Sequence, residues 1–302
     1  MTSWIHRRHV GACLLALAAW VAPQEARADD DADSREESAD SSPVTPESAP
    51  EVFQELFLGE APFTEEPGEL QPIVNVGGRR RAAASSLSAS AALEAGITEH
   101  VEVEVEVPFE VYDARRTAAG PTNVELGLKY SLYSSAARRL AIAAGIAGSA
   151  PSLSDGVGEE AYGYEALLAI YKGLGALHLN VTLRGEVEHP IDPGEKVGAQ
   201  AGGALAVLAP IGSVVPLVEA RVDAGRDTEW TGALGVLWHP SPAWEIGAAG
   251  LASIAEGGPG YGANVILTFE WEPGGDAAAD PEPTHARALR GSNPLGRPVG
   301  RR

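Results

Sequence analysis

The chain of 302 residues carries 42 acidic against 22 basic side chains, a formal net charge of −20 at neutral pH, and a single cysteine, Cys13. So large an acidic excess repels polyanions and argues against a nucleic-acid partner. A lone cysteine inside what reads as a leader leaves the mature chain without disulfides or a thiol nucleophile. At about 150 residues per domain the length suggests two domains, although single β-barrels are exceptions to that scale.

In chain order, Arg7, Arg8 and His9 precede the apolar run VGACLLALAAWVA, which is too short to span a bilayer as a helix, and Ala26 to Ala28 offer small residues for cleavage. Residues 1–28 therefore read as a secretory signal peptide. Cys13 has too little sequence before it to serve as a lipoprotein cysteine. From Asp29 to Glu51, nine acidic residues stand against Arg35 alone, in a Ser- and Pro-containing run that cannot offset its own ordering entropy. Residues 29–52 read as a disordered acidic linker and 53–67 as a short N-terminal segment. At the other end, residues 272–302 are rich in Pro, Gly and Ala and read as a disordered tail. Its late arginines, Arg287 to Arg302, offer at most a weak ionic contact with cell-wall polymer or a partner.

Between these ends the chain alternates with a period of two. In HVEVEVEVPFEVYD, Val101, Val103, Val105, Val107, Phe109 and Val111 share one parity, and Glu102, Glu104, Glu106 and Glu110 the other. In a soluble sandwich the valines would face a core and the glutamates water; in a membrane barrel the valines would face lipid and the glutamates a wet lumen. The stretches LHLNVTLRGEVE and YGANVILTFEW repeat the pattern over about ten residues, the length a tilted strand needs to cross a bilayer core.

Twelve such segments are expected, at 68–76, 82–95, 99–112, 122–133, 138–149, 161–171, 175–188, 197–208, 214–223, 229–239, 243–254 and 260–271. Short connections (GIT, SSAA, KGLG, APIGS, HPSP) alternate with mostly longer, more polar ones, as in an outer-membrane barrel with both termini in the periplasm. Trp230, Trp238, Trp244, Tyr162, Tyr164, Phe109 and Trp271 share the apolar parity, mostly near strand ends, where interfacial aromatic belts sit. The rival, a secreted or periplasmic sandwich with a binding role, needs Greek-key crossovers that no long connection suggests. The expected fold is all-β: an antiparallel up-and-down transmembrane barrel at 68–271, in contact with the outer-membrane bilayer and its barrel-assembly machinery.

PFTEEPGELQ, GITEHVEVEVEVPFEV, GPTNVELGLKYSLY, LHLNVTL and the closing VILTFEW resemble the outer-membrane transporter barrels grouped with meta-pathway phenol-degradation proteins. The likeness covers residues 60–271. It implies a twelve-strand-like barrel with a role in the passage of small or apolar molecules. Unlike such barrels, the chain continues past Trp271 to Arg302.

Parity turns Glu102, Glu104, Glu106 and Glu110 inward, roughly 7 Å apart along one strand. The same rule makes Glu125 and Lys129 pore-lining, with His178, Arg184 and Glu186, then Glu219 and Arg221, and finally Glu270. Two readings of this acidic wall compete. One is a cation-preferring or apolar-solute path, with Gly145, Gly163, Gly202 and Gly235 leaving room; the other is a non-conducting barrel filled by Glu pairing with Lys129, Arg184 and Arg221. Enzyme readings lack a site: there is no Gly-x-Ser-x-Gly, no His-Glu-x-x-His and no phosphate-cradling loop, and His100, His189 and His239 sit at strand ends with no assignable serine. No cofactor is expected, and repeated Glu without a calcium-loop glycine names no metal site.

Overall fold

The structure is a computed structural model that describes residues 53–81, 84–113, 119–151 and 160–271. The expected signal peptide, linker 29–52 and tail 272–302 lie outside the described residues.

The period of two is realised as strands: β1 (Leu70–Arg81), β2 (Ala84–Thr98), β3 (Val101–Asp113), a two-residue β4 (Gly120–Pro121), β5 (Glu125–Ser135) and β6 (Leu140–Ser149). They continue as β7 (Ala161–Leu174), β8 (Leu177–Pro190), β9 (Gly198–Leu208), β10 (Val214–Ala224), β11 (Thr228–Ser241), β12 (Trp244–Ala255) and β13 (Gly258–Phe269). Apart from β4 and β5, neighbours in the chain pair antiparallel, and β13 pairs with β1 from Thr268↔Ile73 to Gly260↔Arg81. That last ladder closes the sheet. Because β4 and β5 both pair with β3, they share one place in the wall, and the barrel has twelve staves. A single closed sheet leaves no room for the two-sheet sandwich.

Parity sorts the side chains as the alternation predicts. Val105, Leu128, Val187 and Val265 lie exposed on the outer face, and Tyr162, Tyr164, Trp230, Trp238 and Trp271 share it. Glu94, Glu102, Lys129, His178, Glu219 and Glu245 are buried inside. At Ser131/Tyr133 a β-bulge interrupts the alternation and leaves both Leu132 and Tyr133 on the outer face.

Strand limits differ most at β1, expected to end at residue 76 and found to run to Arg81. Its last residues, Gly77 to Arg81, fall between the first two expected segments. The β2 and β13 ladders on either side nevertheless pair every one of them. The long connections lie at one end of the barrel, its loop end, between β3 and β4, β6 and β7, and β8 and β9; those after β10 and β12 are as short as turns. At the opposite, turn end, Gly175 takes φ +66 in the two-residue link between β7 and β8.

Residues 53–67 enter the barrel at its turn end. There Phe53, Leu56 and Ala61 form a buried apolar cluster with the inward-facing Tyr171, Leu208, Val215, Leu217 and Leu237, and Phe57 and Phe63 pack against it. Phe53 and Phe63 meet edge to face at 5.7 Å, and Phe63 meets Tyr171 at 5.1 Å. Such pairs each contribute about 0.5–1.5 kcal/mol beyond the area they bury.

Candidate functional site

The lumen is assembled from wall carboxylates and the backbone of the inserted segment. Residues 53–65 form no ladder of their own, so their N–H groups need other acceptors. The wall supplies them. Glu245 accepts the N–H of Gln54 and of Glu55 at 3.1 Å each. Glu219 accepts those of Phe57 and Leu58 at 2.9 Å through separate oxygens. Thr182 takes the N–H of Glu60 and Glu102 that of Glu65, both at 2.9 Å, while Asn180 donates to the Glu60 carbonyl. Hydrogen bonds to a charged acceptor are worth about 1.5–3 kcal/mol each.

Side chains complete the seat. A Cβ at Gly235 would lie 2.8 Å from the Phe57 ring, and one at Gly247 3.0 Å from it. At Gly96 the segment's own backbone lies so close that a Cβ would meet the Glu66 carbonyl at 2.0 Å. These glycines admit the inserted segment. The expectation that Gly235 leaves free space is therefore corrected, and so is that for Gly202, where a Cβ would meet Asp223 Oδ1 at 2.4 Å.

Every pore-lining residue named from the sequence stands on the lumen parity, but their surroundings differ. Glu102 bonds Lys129 at 2.8 Å, and Lys129 also reaches Glu60 at 3.3 Å. Glu104 and Glu106 line a 160 Å³ cavity with Glu55, Glu60 and Glu94. Glu106 is the cross-strand partner of Glu125. Half-buried Glu110 stands opposite Gly120 near the loop end. His178 is buried between Tyr171, which hydrogen-bonds its Nδ1, and Arg139, 3.2 Å from its Nε2. Arg184 and Arg221 both bind Asp223, at 2.8 and 2.7 Å. Glu186 accepts from the Gln200 amide, and Glu270, just past β13, from that of Gln54.

Sequence reasoning missed two parts of the lumen. The inserted segment was one, although Phe53, Leu56, Phe57 and Phe63 between an acidic run and the first strand are an apolar set with no strand to belong to. Arg79 and Arg81 were the other, lost when β1 was ended too early; both share a carboxylate with β11 through Glu229.

Outside the strands, burial and then the neighbouring Glu94 and Glu60 hold the Glu55 carboxyl well above the usual carboxylate range. Burial and the facing Glu270 raise Glu69 to about 6. Oxygens of Glu65, Glu94 and Glu102 lie within 4.8 Å of one another, a spacing that fits a cation, but the Lys129 ammonium already neutralises Glu102 there. Toward the loop end the lumen widens into a cavity of 880 Å³ lined by Arg79, Arg81, Arg184 and Arg221 with Glu186 and Asp223. It reaches down to Leu58 of the inserted segment.

No protein-family model and no curated protein matches the chain. Among solved structures, an outer-membrane channel from Pseudomonas putida F1 superposes with a TM-score of 0.58 at 10% identity, over 69% of this chain and 97% of that one. The NanC porin superposes with a TM-score of 0.51 at 10% identity, over 66% of this chain and 98% of that one. At this identity the likeness is one of fold: the barrel has the architecture of outer-membrane channels and porins.

Proposed function

We propose that the mature chain is an outer-membrane channel for small solutes, secreted by its 1–28 signal, with both termini in the periplasm and residues 29–52 and 272–302 as polar extensions. The observation that carries the reading is the 880 Å³ charged cavity inside a closed barrel. A lipid-facing exterior around a water-accessible, ion-paired interior is the arrangement a solute path needs. Below it, the carboxylates around the 160 Å³ cavity favour cations over anions. The resemblance to meta-pathway phenol-degradation barrels adds neutral apolar molecules to the candidate solutes.

A second reading, a non-conducting barrel, is favoured by the inserted segment, whose apolar cluster fills the turn end. Planar-bilayer recording of the purified mature protein separates the two. A cation-preferring current that weakens in Glu104→Gln/Glu106→Gln is the expected result. A folded barrel with no current under any salt leaves the filled reading, and anion selectivity overturns the acidic path.

A further inference from the structure

We infer that a hard divalent cation of the calcium class ties the inserted segment to the barrel wall, held by Glu65 of the segment, Glu94 of β2, Glu102 of β3 and the Gln71 amide oxygen of β1. The inference goes beyond solute passage and does not rest on it.

The backbone delivers the three carboxyl groups to one place. Gly96 is the cross-strand partner of Glu102, and the segment lies on it so closely that a Cβ there would meet the Glu65 carbonyl at 2.5 Å. The chain is fastened beside it by the Gly68 N–H on the Gly96 carbonyl at 2.8 Å and the Gly96 N–H on that of Glu69 at 3.1 Å. Between them a turn closes with the Glu69 N–H on the Glu66 carbonyl at 2.9 Å, and Gly68 supplies its φ of +88. The Glu65 N–H then donates to Glu102 at 2.9 Å. Oxygens of Glu65, Glu94 and Glu102 consequently lie within 4.8 Å of one another. Two ligands of one calcium ion stand at most about 4.8 Å apart, twice its usual distance to oxygen, so the spacing suits a shared ion.

A second observation comes from β1 and β2. Glu94 is 3% exposed, and its one hydrogen bond among the described residues comes from the Gln71 amide N–H at 3.1 Å. Lys129 is engaged elsewhere, with Glu102 at 2.8 Å and Glu60 at 3.3 Å. A buried carboxylate with a single neutral donor requires a further positive charge or a proton. Gln71 separates the two. It is the cross-strand partner of Glu94 and 1% exposed, and the bond to Glu94 holds its amide group against the cluster. The oxygen of that amide is buried and has no hydrogen-bond partner. With Nε2 turned to Glu94, a proton on the carboxyl would still leave this oxygen unanswered, whereas amide and carboxylate oxygens together are the ligands a hard cation takes.

Three carboxylates against the Lys129 ammonium leave two negative charges, the charge that one divalent cation cancels. Glu104, the other cross-strand partner of Glu94, adds to the negative field, and Glu65 also hydrogen-bonds the Glu69 side chain. An ion here joins the returning limb of the segment to three adjacent staves.

The test is equilibrium dialysis of the purified, chelator-treated mature barrel against radiolabelled calcium. The parent should take up one ion per chain more than Glu65→Gln or Glu94→Gln. Glu99→Gln, which removes an exposed carboxylate from the turn between β2 and β3, should bind as the parent does. Saturating calcium should also slow amide exchange at Glu65 by about tenfold in the parent and leave it unchanged in Glu94→Gln. Glu65→Gln alters no strand, so it keeps the comparison available should Glu94→Gln lose the heat-modifiable mobility of a folded barrel. Equal uptake by the parent and Glu65→Gln, or the same loss in Glu99→Gln, means diffuse screening only and overturns the inference. Uptake without slower exchange at Glu65 overturns it too. Neither readout uses a current, so a barrel that binds the ion but does not conduct removes the channel reading alone, and one that conducts without this ion removes this inference alone.

Discussion

Phe57 lies over Gly235, so close that a Cβ on the glycine would stand 2.8 Å from ring carbon Cε2. A strand glycine that composition reads as empty space is the floor of a pocket filled from 178 residues earlier in the chain. A side chain at Gly235 would also press on the Ala248 carbonyl across the ladder at 3.0 Å. The cleaner change is Gly247→Ala, whose Cβ would meet side-chain carbons of Phe57 and Leu237 and should displace the ring while leaving the ladder intact. The expected outcome is faster protease cleavage within residues 53–67 and a larger bilayer conductance, with unchanged heat-modifiable mobility. Unchanged protection of the segment would show that the Phe57 seat does not hold it.

Glu219 is the second hold. With both oxygens occupied by the N–H groups of Phe57 and Leu58, Glu219→Ala leaves two enclosed donors without acceptors, at about 1–3 kcal/mol each. Amide hydrogen exchange at residues 57 and 58 should rise by at least an order of magnitude, which about 1.4 kcal/mol suffices to produce. Glu219→Gln retains one carbonyl oxygen and should fall between. Equal exchange in all three proteins would remove the carboxylate from the segment's attachment.

The two faces of β3 should respond oppositely to charge. Val105 is 42% exposed on the outer face, and an arginine there costs about 2–4 kcal/mol at mid-membrane. Val105→Arg is expected to reduce the assembled, heat-modifiable fraction, and Val265→Arg likewise. Glu104→Gln, one residue away on the lumen face, should assemble as the parent does. Similar assembly at both parities would invert inside and outside.

Membrane orientation is open to surface labelling. With the loop end outside the cell, Pro193→Cys between β8 and β9 should react with an impermeant thiol reagent on intact cells, and Ser135→Cys at the turn end should not. Cleavage of the proposed 1–28 signal removes Cys13, the one cysteine of the chain, and with it any background. The reverse pattern would turn the barrel over without altering its fold.

Glu69 sets a pH dependence. Burial and the facing Glu270 raise its carboxyl from 4.5 to about 6, so the folded state holds the proton more tightly than the unfolded chain. Its contribution to stability is full below pH 4.5, declines as pH rises through the window to 6, and is level above it, a loss of at most about 2 kcal/mol. The urea midpoint of the parent, relative to Glu69→Gln, should fall across that window. A constant difference between the two proteins from pH 4 to 7 would refute the assignment.

The alternation of apolar and polar residues, clearest in β3 and recurring along the chain, determined the barrel and which side chains share a face. Period two is a property of the strand backbone itself and needs no knowledge of the neighbours. It set Glu102 and Glu219 on the face opposite the exposed valines, where both are buried. It failed where pairing overrides composition, as at Gly77 to Arg81, which two flanking ladders hold as strand.

What those inward groups do was decided by tertiary structure alone. Period two says that Glu219 and Glu245 point inward, but their partners are backbone N–H groups of residues 54–58, more than 160 positions away in the chain. Likewise Arg81 and Glu229 meet only because the sheet closes between β1 and β13. Hydrogen bonds and ion pairs act over a few ångströms of space, and closure of the barrel, which no local pattern encodes, sets which distant residues come within that reach.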